Sequence, residues 1–319
     1  MKKLISIIVP MYNESSNVSC FYQEISKVIE ILPEYNFEII LINDGSKDDT
    51  LLKIKLLATK DPKVKVIDLS RNFGKEIALT AGLREANGDA VIPIDADLQD
   101  PPELIVELIA KWNEGYDVVY ATRSIREGET FFKKLTAFLF YRVIQKLIKF
   151  KIPMDTGDFR LMSRQVVDAL NLCNEQHRFM KGLFSWVGFK QISIPYLRRP
   201  RHAGKSSFNY WKLWNFALEG ITSFSFIPLQ IATYIGFLVA LFSVFYIAFV
   251  IIKTLFYGEA VQGYPTLVVS IFFFGGAQLM TLGIIGEYIG RIYNESKRRP
   301  LYFIREKMNF EEKNKESTF

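Results

Sequence analysis

The sequence is poor in the residues on which many metal and redox sites depend. Its 319 residues include only two cysteines and two histidines. Cys20 and Cys173 lie far apart, and neither has neighbours at the spacing of a zinc ligand set. Cysteine usage of this kind is typical of a reducing compartment, where both thiols act as small apolar side chains. We therefore do not expect zinc chemistry.

Several common nucleotide-binding signatures are also missing. The chain contains no GxGxxG, no Walker lysine loop, no HExxH and no internal repeat. Their absence argues against Rossmann dinucleotide, P-loop and zincin chemistry. The formal net charge is +6, but basic and aromatic residues do not gather in a groove away from the apolar segments, so we expect no nucleic-acid partner. Anionic lipid headgroups are a natural partner for this basic surface.

Charge is absent from two long segments near the C-terminus, residues 229–252 and 264–286. Each is longer than the roughly 20 residues that cross the hydrocarbon core as a helix. The alternative is a pair of buried helices in a large soluble domain. Apolar residues on every side of both segments favour two transmembrane helices. Four glycines in the second segment allow close helix approach and hence a homo-oligomer: Gly275, Gly276, Gly283 and Gly286.

The basic residues around these segments predict their orientation. Only Lys253 and Glu259 carry charge in the connection between them. Basic residues flank the pair on both outer sides, with Arg198, Arg199, Arg201, Lys205 and Lys212 before it and Arg291, Lys297, Arg298 and Arg299 after it. By the positive-inside rule, the N-terminal domain and both termini are cytoplasmic.

Short apolar runs alternate with helical patterns through the first half of the chain. The runs are residues 5–9, 38–42, 64–67, 90–94 and 118–120, and the helical patterns start near Ser15, Thr50, Lys75 and Pro102. This alternation predicts a mostly parallel sheet with helices on both faces. Ligands of such sheets bind beyond the carboxyl ends of the strands, where polar motifs fall at residues 10–14, 43–46 and 95–97.

The fourth apolar run leads directly into paired carboxylates, Asp95 and Asp97. In an extended chain alternate side chains project the same way, so the two could share one hard divalent cation. Phosphate oxygens would complete its coordination. The alternative is a polar turn that ends at Asp100, with Pro102 as the first residue of a helix.

Two other segments have the composition of helices at a membrane surface. Residues 131–150 gather cationic side chains over about a third of the helix circumference, although an ordinary domain-surface helix is the alternative. Residues 210–226 are rich in aromatic side chains. We divide the chain into a domain at 1–207, a juxtamembrane amphipathic segment at 208–228, a transmembrane hairpin at 229–290 and a basic cytoplasmic tail at 291–319, which we expect to be mobile from residue 305.

Taken together, these motifs resemble the polyprenyl-phosphate glycosyltransferases of glycosyltransferase family 2. Residues 9–14, 43–46 and 95–101 and the two apolar segments carry the resemblance, which covers nearly the whole chain. Residues 70–76 and 156–162 are similar to the bacterial bactoprenol glucosyltransferase branch. The dolichol-phosphate mannose synthases are more distant.

The resemblance implies a GT-A catalytic domain that transfers a hexose to polyprenyl phosphate, with inversion at the anomeric carbon. The reaction would take place at the cytoplasmic face of the bacterial inner membrane. We expect UDP-glucose as the donor. GDP-mannose, UDP-galactose, a UDP-N-acetylhexosamine and a UDP-aminoarabinose stay open as alternatives, as does a non-catalytic sugar-nucleotide-binding scaffold.

The resemblance also implies residue roles on the donor side. Asp97, with Asp95 and Gln99, would hold Mg²⁺ or Mn²⁺ against the diphosphate. The donor would be bound by Pro10, Tyr12, Glu14, Asp44, Lys75, Asp95 and Lys205. For Tyr12, Glu14 and Asp44, turn and cap chemistry is the alternative.

On the acceptor side, the resemblance makes Asp158 the candidate catalytic carboxylate. A phosphomonoester with a second pKa of about 6 is already mostly dianionic at neutral pH, so Asp158 would act either as a base or by orienting the acceptor; a structural cap is the third alternative. Arg123, Lys134 and Arg201 match basic positions near the acceptor phosphate. Headgroup contact is the alternative for such residues.

Overall fold

The computed structural model describes residues 2–123, 153, 156–176, 178–197 and 263–311, with isolated positions between 229 and 256. The chain divides into two compact units. We call Met1–Asn215 with Pro300–Phe319 the sheet unit, and Phe216–Arg299 the helical unit.

The sheet unit alternates strands and helices as the sequence predicts. Its first part contains β1 (Leu4–Met11), α1 (Val18–Ile31), β2 (Asn36–Asn43), α2 (Thr50–Lys60), β3 (Val64–Leu69), α3 (Lys75–Glu85), β4 (Ala90–Pro93), α4 (Leu104–Asn113) and β5 (Val118–Arg123). There follow β6 (Thr156–Ser163), α5 (Arg164–Leu172), α6 (Met180–Trp186), β7 (Gln191–Tyr196) and β8 (Ile304–Met308). All five predicted strands are confirmed. α1 has Asn17, not Ser15 or Ser16, at its N-cap, and α4 begins two residues after Pro102.

The described strands form one sheet in the order β7-β5-β6-β4-β1-β2-β3-β8. Strands β4, β1, β2 and β3 are parallel neighbours, as predicted. β6 lies antiparallel between β4 and β5, and β8 lies antiparallel on the outer side of β3. β5 and β7 are again parallel neighbours. The sheet is therefore mixed, but only β6 and β8 run against the other described strands, so it is mostly parallel, as expected.

Helices cover both faces of the central strands. β2 is buried along all of its length after Asn36, which is typical of a strand with a helix layer on each side. α1 contributes Phe21 and Ile25 to the core, at the spacing of one helical face. Burial of a side chain of this size contributes roughly 1.5–3 kcal/mol. This packing holds the carboxyl ends of β1 to β4 at one edge.

The C-terminal strand was not predicted. Residues 304–308 pair with β3, so the expectation of a mobile tail from residue 305 is wrong for this segment. An edge strand presents unpaired backbone groups to any extended segment, and its solvent-facing side chains are often charged. The short charged sequence of β8 therefore has the composition of a tail although it forms part of the sheet.

The helical unit contains α7 (Tyr264–Ser296), which includes the second predicted transmembrane segment. The first segment, residues 229–252, is described only at scattered positions, and the predicted helices at 131–150 and 210–226 lie outside the described residues. Among the helices that the structure does describe, none combines the length and apolar character that a membrane crossing needs. The prediction of two transmembrane helices is not supported by these residues.

Candidate active site

Strand direction brings the polar motifs of the sheet unit together. The loops after β1, β2, β3 and β4 lie at the same edge because these strands are parallel. β6 runs in the opposite direction, so it begins where β4 and β5 end. Asp158, the third residue of β6, therefore lies at the edge where Asp44 and Asp95 follow their strands.

Lys75 joins two of these carboxylates. It is the first residue of α3, and its Nζ lies 2.7 Å from Asp95 Oδ1 and 2.6 Å from Asp158 Oδ2. Loss of hydration opposes the charged form of Lys75, but the two carboxylates outweigh it and hold the pKa of Lys75 well above its usual range. Residues of α3, β6 and the turn after β4 thus share one charged contact.

Asp158 is largely buried, with 13% of its side chain exposed. Burial would raise the pKa of Asp158, but the charges of Lys75 and Lys181 hold it well below its usual range. Its Oδ1 finds no hydrogen-bond partner among the described residues. A carboxylate that stays ionised to low pH is a weak proton acceptor, so this environment favours an orienting role over that of a general base.

Glu76 is a second acid at this site, and sequence reasoning assigned it no role. Its Oε2 accepts the backbone N–H of Met180 at 3.1 Å. Burial and the charge of Asp158 raise the pKa of Glu76 to about 7. The only sequence signal was its position beside Lys75, which does not reveal that α6 packs against it. Lys181, which helps to keep Asp158 ionised, was missed for the same reason.

Arg160 lies two residues after Asp158 and is 3% exposed. Its guanidinium carbon lies 3.9 Å from the centre of the Phe184 ring, and its Nη2 donates to the carbonyl of Gly157 at 2.9 Å. Burial lowers the pKa of Arg160 to about 10, which leaves it cationic at neutral pH. It therefore adds a fixed positive charge behind Asp158.

Asp44 holds the loop between β3 and α3. Its carboxylate is 2% exposed and accepts the backbone N–H groups of Phe73 at 2.7 Å and Gly74 at 2.9 Å. Burial raises the pKa of Asp44, and the two N–H groups counteract part of that rise. The next residue, Gly45, has φ +64°, and a Cβ there would lie 2.5 Å from backbone atoms of the loop. Asp44 thus positions the loop that leads into Lys75, and its predicted contact with the donor stays a prediction.

The acidic segment after β4 is a turn. β4 ends at Pro93, so Asp95 and Asp97 do not lie in an extended strand, and the alternation from which we placed them on one side does not apply. Leu98 has φ +56°. Asp97 is 5% exposed, and its Oδ1 accepts the backbone N–H of Gln99 at 3.2 Å, the contact of an Asx turn.

The turn is tied to the sheet by a buried hydrogen bond that the Tyr196 hydroxyl donates to Asp100. No group of three or more His, Cys, Asp and Glu side chains that could hold a metal occurs within the described part of the chain. The carboxylates of Asp95 and Asp97 and the amide of Gln99 nevertheless offer the oxygen ligands that Mg²⁺ prefers. This ion often binds one or two protein carboxylates and takes phosphate oxygens as its other ligands.

The loop after β1 contacts the loop after β2. Asn13 donates its N–H to Ser46 Oγ at 3.0 Å and accepts the Lys47 N–H at 2.8 Å. Glu14 accepts the side-chain amide of Asn17, the residue before α1, at 2.6 Å. Tyr12 is 43% exposed, so its ring is accessible to a ligand at this edge, and Pro10 lies within β1.

Four predicted site residues have side chains outside the described part of the structure. Arg123 ends β5, where its backbone is in register with Tyr196, but its side chain is not described. Lys134, Arg201 and Lys205 lie wholly outside it. The acceptor-side contacts of these residues therefore stay predictions.

Comparison with known proteins gives consistent matches. The family description "Glycosyl transferase family 2" matches residues 6–170. An uncharacterised glycosyltransferase of Synechocystis sp., sll0501, is 54% identical over 300 residues, covering 94% of this chain and 94% of that protein. The bactoprenol glucosyl transferase of Shigella phage SfV is 53% identical over 301 residues, covering 94% of this chain and 98% of its own.

A solved structure of glucosyl-3-phosphoglycerate synthase from Mycobacterium tuberculosis, in complex with Mn²⁺, UDP-glucose and phosphoglyceric acid, is 20% identical. The alignment covers 69% of this chain and 78% of that one, with a TM-score of 0.44. A likeness this low carries no argument about the site.

The raised pKa of Glu76 predicts a pH-dependent stability. Between the ordinary glutamate pKa and about 7 the folded protein binds more protons than the unfolded chain, so stability falls as pH rises through this window. Glu76→Gln removes the titrating group. The change in the free energy of unfolding across this pH window should therefore be smaller than in the wild type by on the order of 1–3 kcal/mol, allowing for solvent screening at a half-buried position. Thermal melts from pH 5 to 8 measure it. Glu107→Gln, on the exposed side of α4, is the matched control and should behave like the wild type; a Glu76→Gln curve parallel to the wild type would contradict the prediction.

Proposed function

The chain belongs to glycosyltransferase family 2, and from this membership we propose that it transfers a hexose from a nucleotide diphosphate donor to polyprenyl phosphate, with inversion at the anomeric carbon. The observation that carries the proposal is that half of the residues, along almost the whole chain, are identical in relatives named bactoprenol glucosyl transferase. The charged contact of Lys75 with Asp95 and Asp158 at the carboxyl edge of the sheet supports it.

We propose UDP-glucose as the donor, in keeping with the names of those relatives. GDP-mannose, UDP-galactose, a UDP-N-acetylhexosamine and a UDP-aminoarabinose are the alternatives. In this proposal Tyr12, on the loop after β1, is available to the base and ribose because its ring is partly exposed. The discrimination among sugars depends on the shape of the pocket around the transferred ring.

On the donor side, Asp97, Asp95 and Gln99 would hold Mg²⁺ or Mn²⁺, which supplies neutralising charge to the diphosphate as it leaves. Lys75 provides a second cation in contact with Asp95. We propose that this ammonium also contacts the diphosphate oxygens. We also propose that Lys205 contacts the donor from the segment that follows β7.

On the acceptor side, Asp158 would orient the acceptor phosphate, not remove a proton. The phosphate is mostly dianionic at neutral pH and needs no base, and the cations around Asp158 keep it ionised. Two anions side by side repel each other unless cations lie near both. Lys75 and Arg160 lie near Asp158, and we propose that Arg123, Lys134 and Arg201 bind the acceptor phosphate.

We further propose that the protein attaches to the bacterial inner membrane through the helical unit, with the sheet unit and both termini on the cytoplasmic side. A polyprenyl chain stays in lipid while its phosphate must reach the sheet edge. The helical unit exposes many large apolar side chains, among them Phe237, Phe242, Phe249, Leu267, Ile271, Phe273, Leu279 and Ile289. Water is an unfavourable solvent for such a surface. The two transmembrane helices and a homo-oligomer stay predictions within this proposal.

A non-catalytic sugar-nucleotide-binding scaffold is the second candidate. Release of nucleotide diphosphate separates the two candidates, because a scaffold binds the donor without consuming it.

Within this proposal, the first prediction concerns the reaction itself. Purified protein incubated with undecaprenyl phosphate and labelled UDP-glucose should form a lipid-extractable sugar product, and EDTA should abolish it. Asp97→Ala should lower the rate by about 100-fold or more, since it removes a metal ligand and its charge stabilisation of the leaving group. Asp168→Asn, an exposed carboxylate on α5, is the control. Full turnover in Asp97→Ala would show that the metal assignment is wrong.

A second prediction separates the two roles of Asp158. If it orients the acceptor, Asp158→Asn should lower kcat by about 10–100-fold, the scale of lost positioning. Since the pKa of Asp158 lies well below its usual range, the wild-type rate should show no limb from this carboxylate between pH 5 and 8. A wild-type pH limb in that range that disappears in Asp158→Asn would establish it as a titrating base.

A third prediction tests membrane attachment. The full chain should stay in the membrane pellet after alkaline carbonate extraction and leave it in detergent. In a background without Cys20 and Cys173, Glu259→Cys should react with an impermeant thiol reagent added to intact spheroplasts, whereas Asp168→Cys should react only after the membrane is opened. Release by carbonate, or labelling of Asp168→Cys in intact spheroplasts, would contradict the proposed attachment and orientation.

A further inference from the structure

We propose that Arg305, on the C-terminal strand β8, is a positioning residue for the loop of residues 70–74 that leads into Lys75. The effect on donor binding rests on the proposed function, whereas the effect on the loop does not. This residue lies 230 positions after Lys75 in the chain, so neither motif spacing nor local pattern connects the two.

β8 is held against β3 at both of its ends. Ser70 donates its backbone N–H to the carbonyl of Phe303 at 2.9 Å, just before β8 begins. Just after β8, the side-chain amide of Asn309 donates to the carbonyls of Ala58 at 2.7 Å and Val64 at 2.8 Å. These backbone and amide contacts place the strand without help from Arg305.

Arg305 uses this placement to make two contacts of its own. Its Nη1 lies 3.4 Å from Asp68 Oδ2, and its Nη2 donates to the carbonyl of Ser70 at 2.7 Å. Asp68 is 1% exposed, and its other oxygen accepts the side-chain amide of Asn43 at 2.8 Å. A buried carboxylate needs a compensating charge, and in this position the guanidinium supplies it while also holding Ser70.

The two ends of the loop therefore have different anchors. Arg305 holds its start through the Ser70 carbonyl, and Asp44 holds its end through the N–H groups of Phe73 and Gly74. Lys75 follows directly and reaches two carboxylates. Without Arg305 the start of the loop would keep only the Ser70 N–H bond to Phe303, which loosens the placement of the ammonium.

This role is separable from attachment of the strand. Two other ion pairs of β8 do not touch the loop: Lys55 with Glu306 at 2.6 Å and Lys307 with Glu85 at 2.6 Å. The planar guanidinium of Arg305 can donate to two acceptors in different directions. The ammonium of a lysine at this position is a single point charge and cannot reach both acceptors equally well. Arg305→Lys should therefore keep part of the pairing to Asp68 and lose the bond to Ser70.

The test uses the full-length protein and hydrogen exchange. In Arg305→Met the amides of Phe73 and Gly74 should exchange about 5–10-fold faster, the scale of one lost hydrogen bond, while the amides of β8 keep their protection. Arg305→Lys should be intermediate. Glu306→Gln, which breaks the exposed pair on the same strand, is the matched control and should exchange like the wild type. Melting temperatures of all four proteins check that each is folded.

The same variants link the loop to the reaction. In Arg305→Met the KM for the sugar nucleotide should rise about 5–10-fold with kcat changed less than about twofold, because donor placement is loosened and the chemistry is not. Unchanged exchange at Phe73 and Gly74 would overturn the inference, as would loss of protection throughout β8 or faster loop exchange with an unaltered KM. If the wild type transfers no sugar, the proposed function fails, while the exchange data still decide whether Arg305 positions the loop.

Discussion

One ammonium group organises the candidate site. Lys75 lies between Asp95 and Asp158, which come from different parts of the chain and would repel each other without a cation. Its position depends on the loop before it, which Asp44 holds at one end and Arg305 at the other. The ammonium that pairs the two carboxylates is therefore placed by the contacts of the loop before it.

The mixed sheet explains why this arrangement is available. A purely parallel sheet would bring only strand ends to the active edge, and a residue near the start of a strand would lie at the opposite edge. β6 is reversed, so Asp158 near its beginning reaches the same edge as the acidic turn after β4. The same reversal at β8 returns the C-terminal segment to the loop after β3. Both antiparallel strands thus add residues to the site that the parallel core could not.

Charge balance also assigns a chemical role. Around Asp158 the nearby cations outweigh burial, so the carboxylate stays ionised, whereas at Glu76 burial dominates and the acid holds its proton more tightly. Two neighbouring acids of similar intrinsic strength therefore differ in pKa because an ammonium contacts Asp158, whereas at Glu76 the negative charge of Asp158 adds to the effect of burial. An ionised, weakly basic Asp158 fits an acceptor phosphate that is already deprotonated.

Local pattern was enough to predict the five strands and the helices between them, because apolar periodicity and strand ends are properties of short segments. It also predicted that the motifs of Asp44 and Asp95 meet at one edge, since parallel strands end together, whereas Asp158 was assigned to the site by the family resemblance. It could not show that Asp44 binds the loop before Lys75, that the acidic segment turns after Pro93, that Glu76 lies beside Asp158, or that Arg305 contacts Ser70. Those features depend on which distant backbone groups and charges face each side chain, and only long-range strand pairing and burial decide that.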